Sequence, residues 1–250
     1  MRATILVCCL ALGVAGLMAP RAHAGAPSSP FELHHLKVKG DSLPYAVWLP
    51  PGYDPARRWP CIVFLHGSGE SGTDGLKPTL QGIGPALLEH PDRWPFIVLF
   101  PQKPTEDEEW EEREAFVLKL LATAGKTWAV DPDRVALAGI SQGGHGAWVF
   151  GARHPNLWSC LVPVCGYGRA RTVASRAWRL PTWAFHGLKD DVVNPQDTRD
   201  IVADLAQRRK NAGLPEPKLT LYPDLNHGCW MAAFGEPELP KWILEQKRGK

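Results

Sequence analysis

The stretch 134–144 (Arg-Val-Ala-Leu-Ala-Gly-Ile-Ser-Gln-Gly-Gly) constrains this chain more than any other. Residues 134–138 are mostly aliphatic and predict a short buried strand, and residues from 142 onward carry helical spacing. Between them lies Gly139-Ile140-Ser141-Gln142-Gly143. A strand that turns directly into a helix needs glycine beside the turn, and the turn lifts the serine hydroxyl clear of the sheet. The helix that follows aims free N–H groups at that hydroxyl and favours negative charge developing there. Two glycines around a serine also arise by chance. The strand, the helix and the partners described below argue against chance here.

The chain has 250 residues, 44% of them hydrophobic, enough for one α/β domain with a sizeable core. A formal net charge of +2 gives no basic field for nucleic acid and no acidic tail. Residues 1–24 have the form of a secretory signal. Arg2 is the positive start, 5–18 the apolar stretch, and Ala22-His23-Ala24 the cleavage site. The apolar run is too short for a membrane span and is broken by Pro20 and Arg21, and no cysteine at the cut suggests a lipid anchor. The sequence thus predicts export to the periplasm or beyond the cell, a linker at 25–30, and a single domain over 31–250. Cys61, Cys160, Cys165 and Cys229 remain after the signal. Cys165 and Cys229 are the pair to examine for a bridge, with buried free thiols as the alternative. No cysteine or histidine spacing suggests a metal, and no cofactor is expected.

Segments 31–39 and 43–49 predict an antiparallel hairpin joined at Gly40-Asp41. The run 61–65 is continuously apolar, as expected of a central parallel strand. A helix is expected over 76–90, a strand at 96–100, a helix with an acidic start over 106–121, and then the strand and helix around Ser141. Strands at 157–164, 181–185 and 218–222 and helices at 195–209 and 239–246 complete the pattern. Alternating strands and helices predict a mostly parallel sheet covered on both faces, with the antiparallel hairpin at its start. The segment between 164 and 181 is too short for a large cap domain, so the site should be open.

A serine hydroxyl needs a base within hydrogen-bond reach, itself oriented by a third group. The order Ser, Asp, His is available. His227 lies in a loop after the last strand, and Asp190 follows the strand that ends at 185. Both loops should open beside Ser141 at the carboxyl edge of the sheet. Asp190 is preferred to its neighbour Asp191, which reads as a turn former. His66 and His186 read as strand-end residues bonded to loop backbone. His34, His35, His90 and His154 lie far from that edge. Ser141 would attack an acyl carbon, His227 would carry the proton, and Asp190 would hold the imidazole tautomer. Backbone donors for the resulting anion would come from Gln142 and from the glycine-rich loop after 65, with Ser68 as first choice and Gly69 second. Gly67-Ser68-Gly69-Glu70-Ser71-Gly72 also matches a dinucleotide fingerprint. Gly75 and Pro78 delay the helix that motif requires, and the next strand ends in Pro101 with no acidic ribose ligand.

The sequence resembles the α/β-hydrolase superfamily, in the esterase and predicted-peptidase branch near dienelactone hydrolases, carboxylesterases and polyhydroxybutyrate-depolymerase-like enzymes. The resemblance rests on Leu65-His66-Gly67-Ser68-Gly69-Glu70-Ser71-Gly72, Asp131-Pro132-Asp133-Arg134-Val135, Gly139-Ile140-Ser141-Gln142-Gly143-Gly144, the segment from Phe185 to Val193, and Asn226-His227-Gly228-Cys229-Trp230. It implies an α/β-hydrolase fold and a metal-free serine hydrolase acting on small-molecule or polymer-attached carboxylic esters. The branch often carries an aromatic residue where Trp110 stands, which makes Trp110 a candidate pocket wall beside His145 and Trp230. Gln142 replaces a common methionine, but its contribution would be a backbone N–H. The rivals are a serine peptidase of the prolyl-oligopeptidase type and a catalytically idle binding protein of the same fold.

Overall fold

The structure, a computed structural model, describes residues 29–249, so the expected signal and most of the linker lie outside the described residues. One eight-stranded sheet organises the chain: β1 (Phe31–Val38), β2 (Asp41–Trp48), β3 (Trp59–Leu65), β4 (Ile97–Pro101), β5 (Val130–Ile140), β6 (Cys160–Val164), β7 (Trp183–Gly187) and β8 (Lys218–Tyr222). Their spatial order is β1-β2-β4-β3-β5-β6-β7-β8. β1–β2 and β2–β4 pair antiparallel, and every other neighbour pair is parallel. The hairpin turn is Lys39-Gly40, one residue earlier than expected, since Val38 pairs with Asp41. Both turn residues have positive φ (49° and 101°), as a two-residue turn matching the strand twist requires.

The central strands alternate between two cores. Cys61, Val63, Leu65, Leu99 and Leu137 face one core, and Ile62, Phe64, Val98, Phe100 and Ala138 face the other. Burial on both faces is why these strands read as unbroken apolar runs. The first core is covered by α2 (Glu114–Thr127), α3 (Gln142–Arg153), α4 (Ala170–Ala177) and α5 (Pro195–Asn211). The second is covered by α1 (Ile83–Glu89), α6 (Trp230–Gly235) and α7 (Glu238–Glu245).

Two expected helices are shorter than the sequence suggested. Over 76–90 only Ile83–Glu89 is α-helical, after a 3-10 turn at Lys77–Thr79. Pro78 supports that turn, and Gly82 (φ 61°) breaks the chain where a Cβ would lie 2.4 Å from the Phe64 ring. The acidic stretch from Glu106 is a loop, and helix begins only at the 3-10 turn Trp110–Arg113 and at α2. The loop is gripped by the wholly buried Lys103, whose ammonium donates to Thr105 O (2.5 Å), Glu106 O (3.3 Å) and Ser71 Oγ (2.8 Å). Between β6 and β7 there is only α4, an eight-residue helix whose Val173, Ala174 and Ala177 join the core. Among the described residues no helix is long and apolar enough to cross a membrane.

His66, at the end of β3, is completely buried. Its Nε2 accepts the Lys103 backbone N–H (3.2 Å), so Nδ1 carries the proton and donates to Gly67 O (2.5 Å). Burial pushes this imidazole down to about 3, with the Lys103 charge acting in the same direction. Between about pH 6.5 and 3 the unfolded chain therefore binds a proton that the folded chain refuses. Stability should then fall as pH drops, by about 1.4 kcal/mol per pH unit for one such group. His186, also lowered by burial, adds to this loss, while His145, raised by Glu111, opposes it. Urea midpoints at pH 7.5 and 5 should differ accordingly, and a flat midpoint would contradict this account.

Candidate active site

β5 delivers Ile140 to the carboxyl edge of the sheet, and the chain reverses into α3 within one residue. Ser141 makes that reversal at φ 52° and ψ −119°, strained for a residue with a Cβ. The flanking glycines are required by contact. A Cβ on Gly143 would lie 1.9 Å from Leu65 O, and one on Gly139 would lie 2.1 Å from Gly143 O. The turn is tied to the neighbouring strand by Ser141 N–H donating to Val164 O at 2.9 Å.

His227 and Asp190 meet the serine at this edge. His227 Nε2 is 2.8 Å from Ser141 Oγ, and His227 Nδ1 is 2.8 Å from Asp190 Oδ2. Asp190 Oδ1 accepts the backbone N–H groups of Val192 and Val193, each at 2.9 Å. The Asp190 side chain is fully buried, whereas Asp191 is exposed. Burial alone would raise the Asp190 carboxyl. The hydrogen bonds from His227, Val193 and Val192 together outweigh it and hold the group below the usual carboxylate range. An ionised Asp190 can only accept, so Nδ1–H donates to it and Nε2 is left free to accept the Ser141 proton.

Ser141 opens onto a cavity of about 420 Å³ that it shares with Ser68 and Gln142. Tyr167, Val192, Val193, Asn194 and Asp197 complete its lining. Gln142 and Ser68 begin helical turns, so neither backbone N–H has an acceptor within its own helix. Gly69 lies one residue further along the 3-10 turn and does not line the cavity. The glycine-rich loop makes only the short turn Ser68–Glu70, not the long helix a dinucleotide motif would open.

The three candidate walls stand elsewhere. Trp110 is fully buried and donates its indole N–H to His66 O (3.0 Å), leaving no ring face for a substrate. His145 stacks on Tyr167 with ring centres 4.3 Å apart, and its nitrogens contact Tyr167 O (2.9 Å) and Glu111 Oε1 (3.0 Å). Trp230 stands edge-on to the His227 ring with centres 5.5 Å apart, while its N–H donates to Gln81 Oε1 (2.9 Å). None of the three lines the cavity beside Ser141. Sequence reasoning missed Tyr167, Asn194 and Asp197. The run Val192-Val193-Asn194 shortly after Asp190 was the available signal, while Tyr167 carried none.

Among the described residues two groups bring three ligand-type atoms within 4.8 Å of one another. One is Cys165, Asp190 and His227, of which the last two are bonded to each other. The other is Glu109, Glu111 and His145, where both imidazole nitrogens are already engaged. Cys165 and Cys229 are buried thiols with their sulfurs 2.8 Å apart.

The Esterase family model matches residues 38–186, more than half of the sequence. The chain belongs to the Esterase family. Among solved structures, a thermostable esterase superposes with a TM-score of 0.74 at 27% identity, covering 88% of this chain and 63% of that one. The chain thus spans less than two thirds of that esterase's length. A ferulic acid esterase (TM-score 0.65, 18% identity, 85% and 98% covered) and an acylaminoacyl peptidase (TM-score 0.60, 15% identity, 88% and 42% covered) share the fold. No curated protein matches the sequence. The architecture of this family member is that of the α/β-hydrolases.

Proposed function

We propose that this protein is a serine hydrolase that cleaves carboxylic esters through an acyl-enzyme, with Ser141, His227 and Asp190 as its triad. The observation that carries the reading is the placement of His227 between the other two, 2.8 Å from each. In the first step Ser141 Oγ bonds to the acyl carbon and its proton passes to His227 Nε2. The C–O bond to the alcohol then breaks, and His227 returns the proton to the departing oxygen. Water repeats the sequence on the acyl-enzyme and releases the acid. The Gln142 and Ser68 N–H groups would receive the carbonyl oxygen as it becomes an anion. Losing one such donor costs on the order of a hundred- to a thousand-fold in rate.

Small or polymer-attached esters fit this reading, since only the eight-residue α4 lies between β6 and β7 and no large cap is inserted there. The pattern over 1–24 supports export with cleavage after Ala24, which would make residue 25 the first of the secreted form.

A fluorophosphonate probe is expected to label the purified protein at Ser141. The protein should turn over p-nitrophenyl esters while leaving peptide anilides uncut. Failure of the folded protein to label would leave a binding protein of this fold. Faster cleavage of the anilides would make it a peptidase.

A further inference from the structure

Asp190 also holds a second histidine, one that the proposed chemistry does not use. His186, on β7, is completely buried, and its Nε2 lies 3.0 Å from Asp190 Oδ2, the same oxygen that faces His227 Nδ1. On its other side, His186 Nδ1 lies 2.8 Å from Thr198 Oγ1 on α5, and that hydroxyl lies 3.0 Å from Gly166 O. Sequence reasoning placed His186 on loop backbone. It does reach Val193 O at 3.2 Å, but its main partners are a carboxylate and a hydroxyl.

Counting protons shows which way these bonds run. Thr198 has one hydroxyl proton. If that proton goes to Gly166 O, then Nδ1 must carry the ring proton. A neutral ring would then turn a bare Nε2 towards two acceptors, Asp190 Oδ2 and Val193 O, with no donor between them. Two arrangements remain. Either the hydroxyl turns to Nδ1, giving up its bond to Gly166 O, and Nε2 carries the proton, or Thr198 keeps donating to Gly166 O and the ring carries both protons. Nε2–H donates to Asp190 Oδ2 in each. Burial favours the neutral ring.

We infer that His186 is a positioning residue: its N–H fixes Asp190 Oδ2 between two imidazoles and sets how strongly that oxygen holds His227 once protonated. The inference rests on the proposed triad. Oδ1 is already filled by two backbone donors, so Oδ2 is the oxygen left to respond to the base. A second donor on it draws off charge that would otherwise stabilise the imidazolium. The two histidines are also held in register. β7 ends at Gly187, where a Cβ would lie 2.3 Å from Asn226 O in the loop that carries His227. The titratable groups facing Asp190 are His186 from β7, His227 from the loop after β8, and the Cys165 thiol from the loop after β6. Cys165 is in turn against Cys229 at the start of α6. Thr198, from α5, is neutral.

The test compares kcat/KM against pH for the wild type, His186→Leu, His186→Gln and Thr198→Val, with fluorophosphonate labelling of the wild type alongside. His186→Leu should lower kcat about tenfold with KM unchanged. It should also move the acid limb of the profile up by about one pH unit, because a carboxylate freed of its second donor grips the protonated base more tightly. His186→Gln offers an amide N–H near the Nε2 position and should return the limb most of the way. Thr198→Val, which leaves Nδ1 without a partner, should move the limb in the same direction by less. A lowered kcat with the limb unmoved would mean a purely structural role and overturn the inference. So would a Gln variant no better than Leu. If the Leu variant does not fold, the Thr198→Val and Gln profiles decide, and wild-type limbs in both overturn it. A wild type that is active but is not labelled at Ser141 contradicts the triad itself, and the inference falls with it.

Discussion

Ser141→Gly is expected to make the protein more stable while removing its turnover. A side chain at φ 52° and ψ −119° costs on the order of 1–3 kcal/mol, because the Cβ crowds the backbone there. Glycine has no such penalty, although its looser unfolded state offsets roughly 0.5–1 kcal/mol of the gain. The net expectation is about 1 kcal/mol of added stability. Ser141→Ala keeps the Cβ and the strain, so it should match the wild type in stability. Both variants lose the hydroxyl that His227 faces, and ester turnover should fall by a factor of roughly a million, as when a member of a coupled triad is removed. Thermal unfolding alongside ester hydrolysis separates the two effects. Stability below that of the alanine variant would show that the turn is not strained. Retained turnover would place the nucleophile elsewhere.

The parts of the molecule that could be read from sequence are those in which the physical signal is local. β3 and β4 are buried on both faces and appear as plain apolar runs. The turn at Ser141 could be read because steric contact of the kind found at Gly143 and Leu65 O demands glycine at a fixed spacing. The meeting of Ser141, Asp190 and His227 followed from topology, since loops after parallel strands open along one edge of the sheet.

What could not be read depends on distant neighbours. The helix expected from Glu106 starts late because Lys103, buried beneath the loop, takes the Thr105 and Glu106 carbonyls. α6 has only six residues and too few turns to show a period. Trp110 looked like a pocket wall, yet its 3-10 turn drives it under α3, where a Cβ on Gly146 would lie 2.9 Å from its own Cβ. His186 and His66 occupy equivalent strand-end positions. Only one of them meets a carboxylate, and that depends on where Asp190 turns.

Asp190→Asn is the second change with a large expected effect, and it separates this residue from its neighbour. The two backbone N–H groups from Val192 and Val193 should hold the amide oxygen where Oδ1 now lies. The amide nitrogen then takes the place of Oδ2 and presents N–H to both histidines. His227 Nδ1 can only accept from it, so the ring proton moves to Nε2, which then faces Ser141 Oγ as a donor. The imidazole is in place but in the wrong tautomer for the proposed proton transfer, and kcat should fall about ten-thousandfold with little change in KM. His186 can meet the same reversal by moving its ring proton to Nδ1, which then donates to Thr198 Oγ1 while that hydroxyl donates to Gly166 O, so stability should stay within about 1 kcal/mol of the wild type. Asp191→Asn, on an exposed side chain, should leave the rate within a few-fold. Steady-state ester kinetics and urea unfolding on the two variants test both expectations. Equal losses from the neighbouring aspartates, or a fall confined to Asp191, would mean that the acid at this sheet edge is not Asp190.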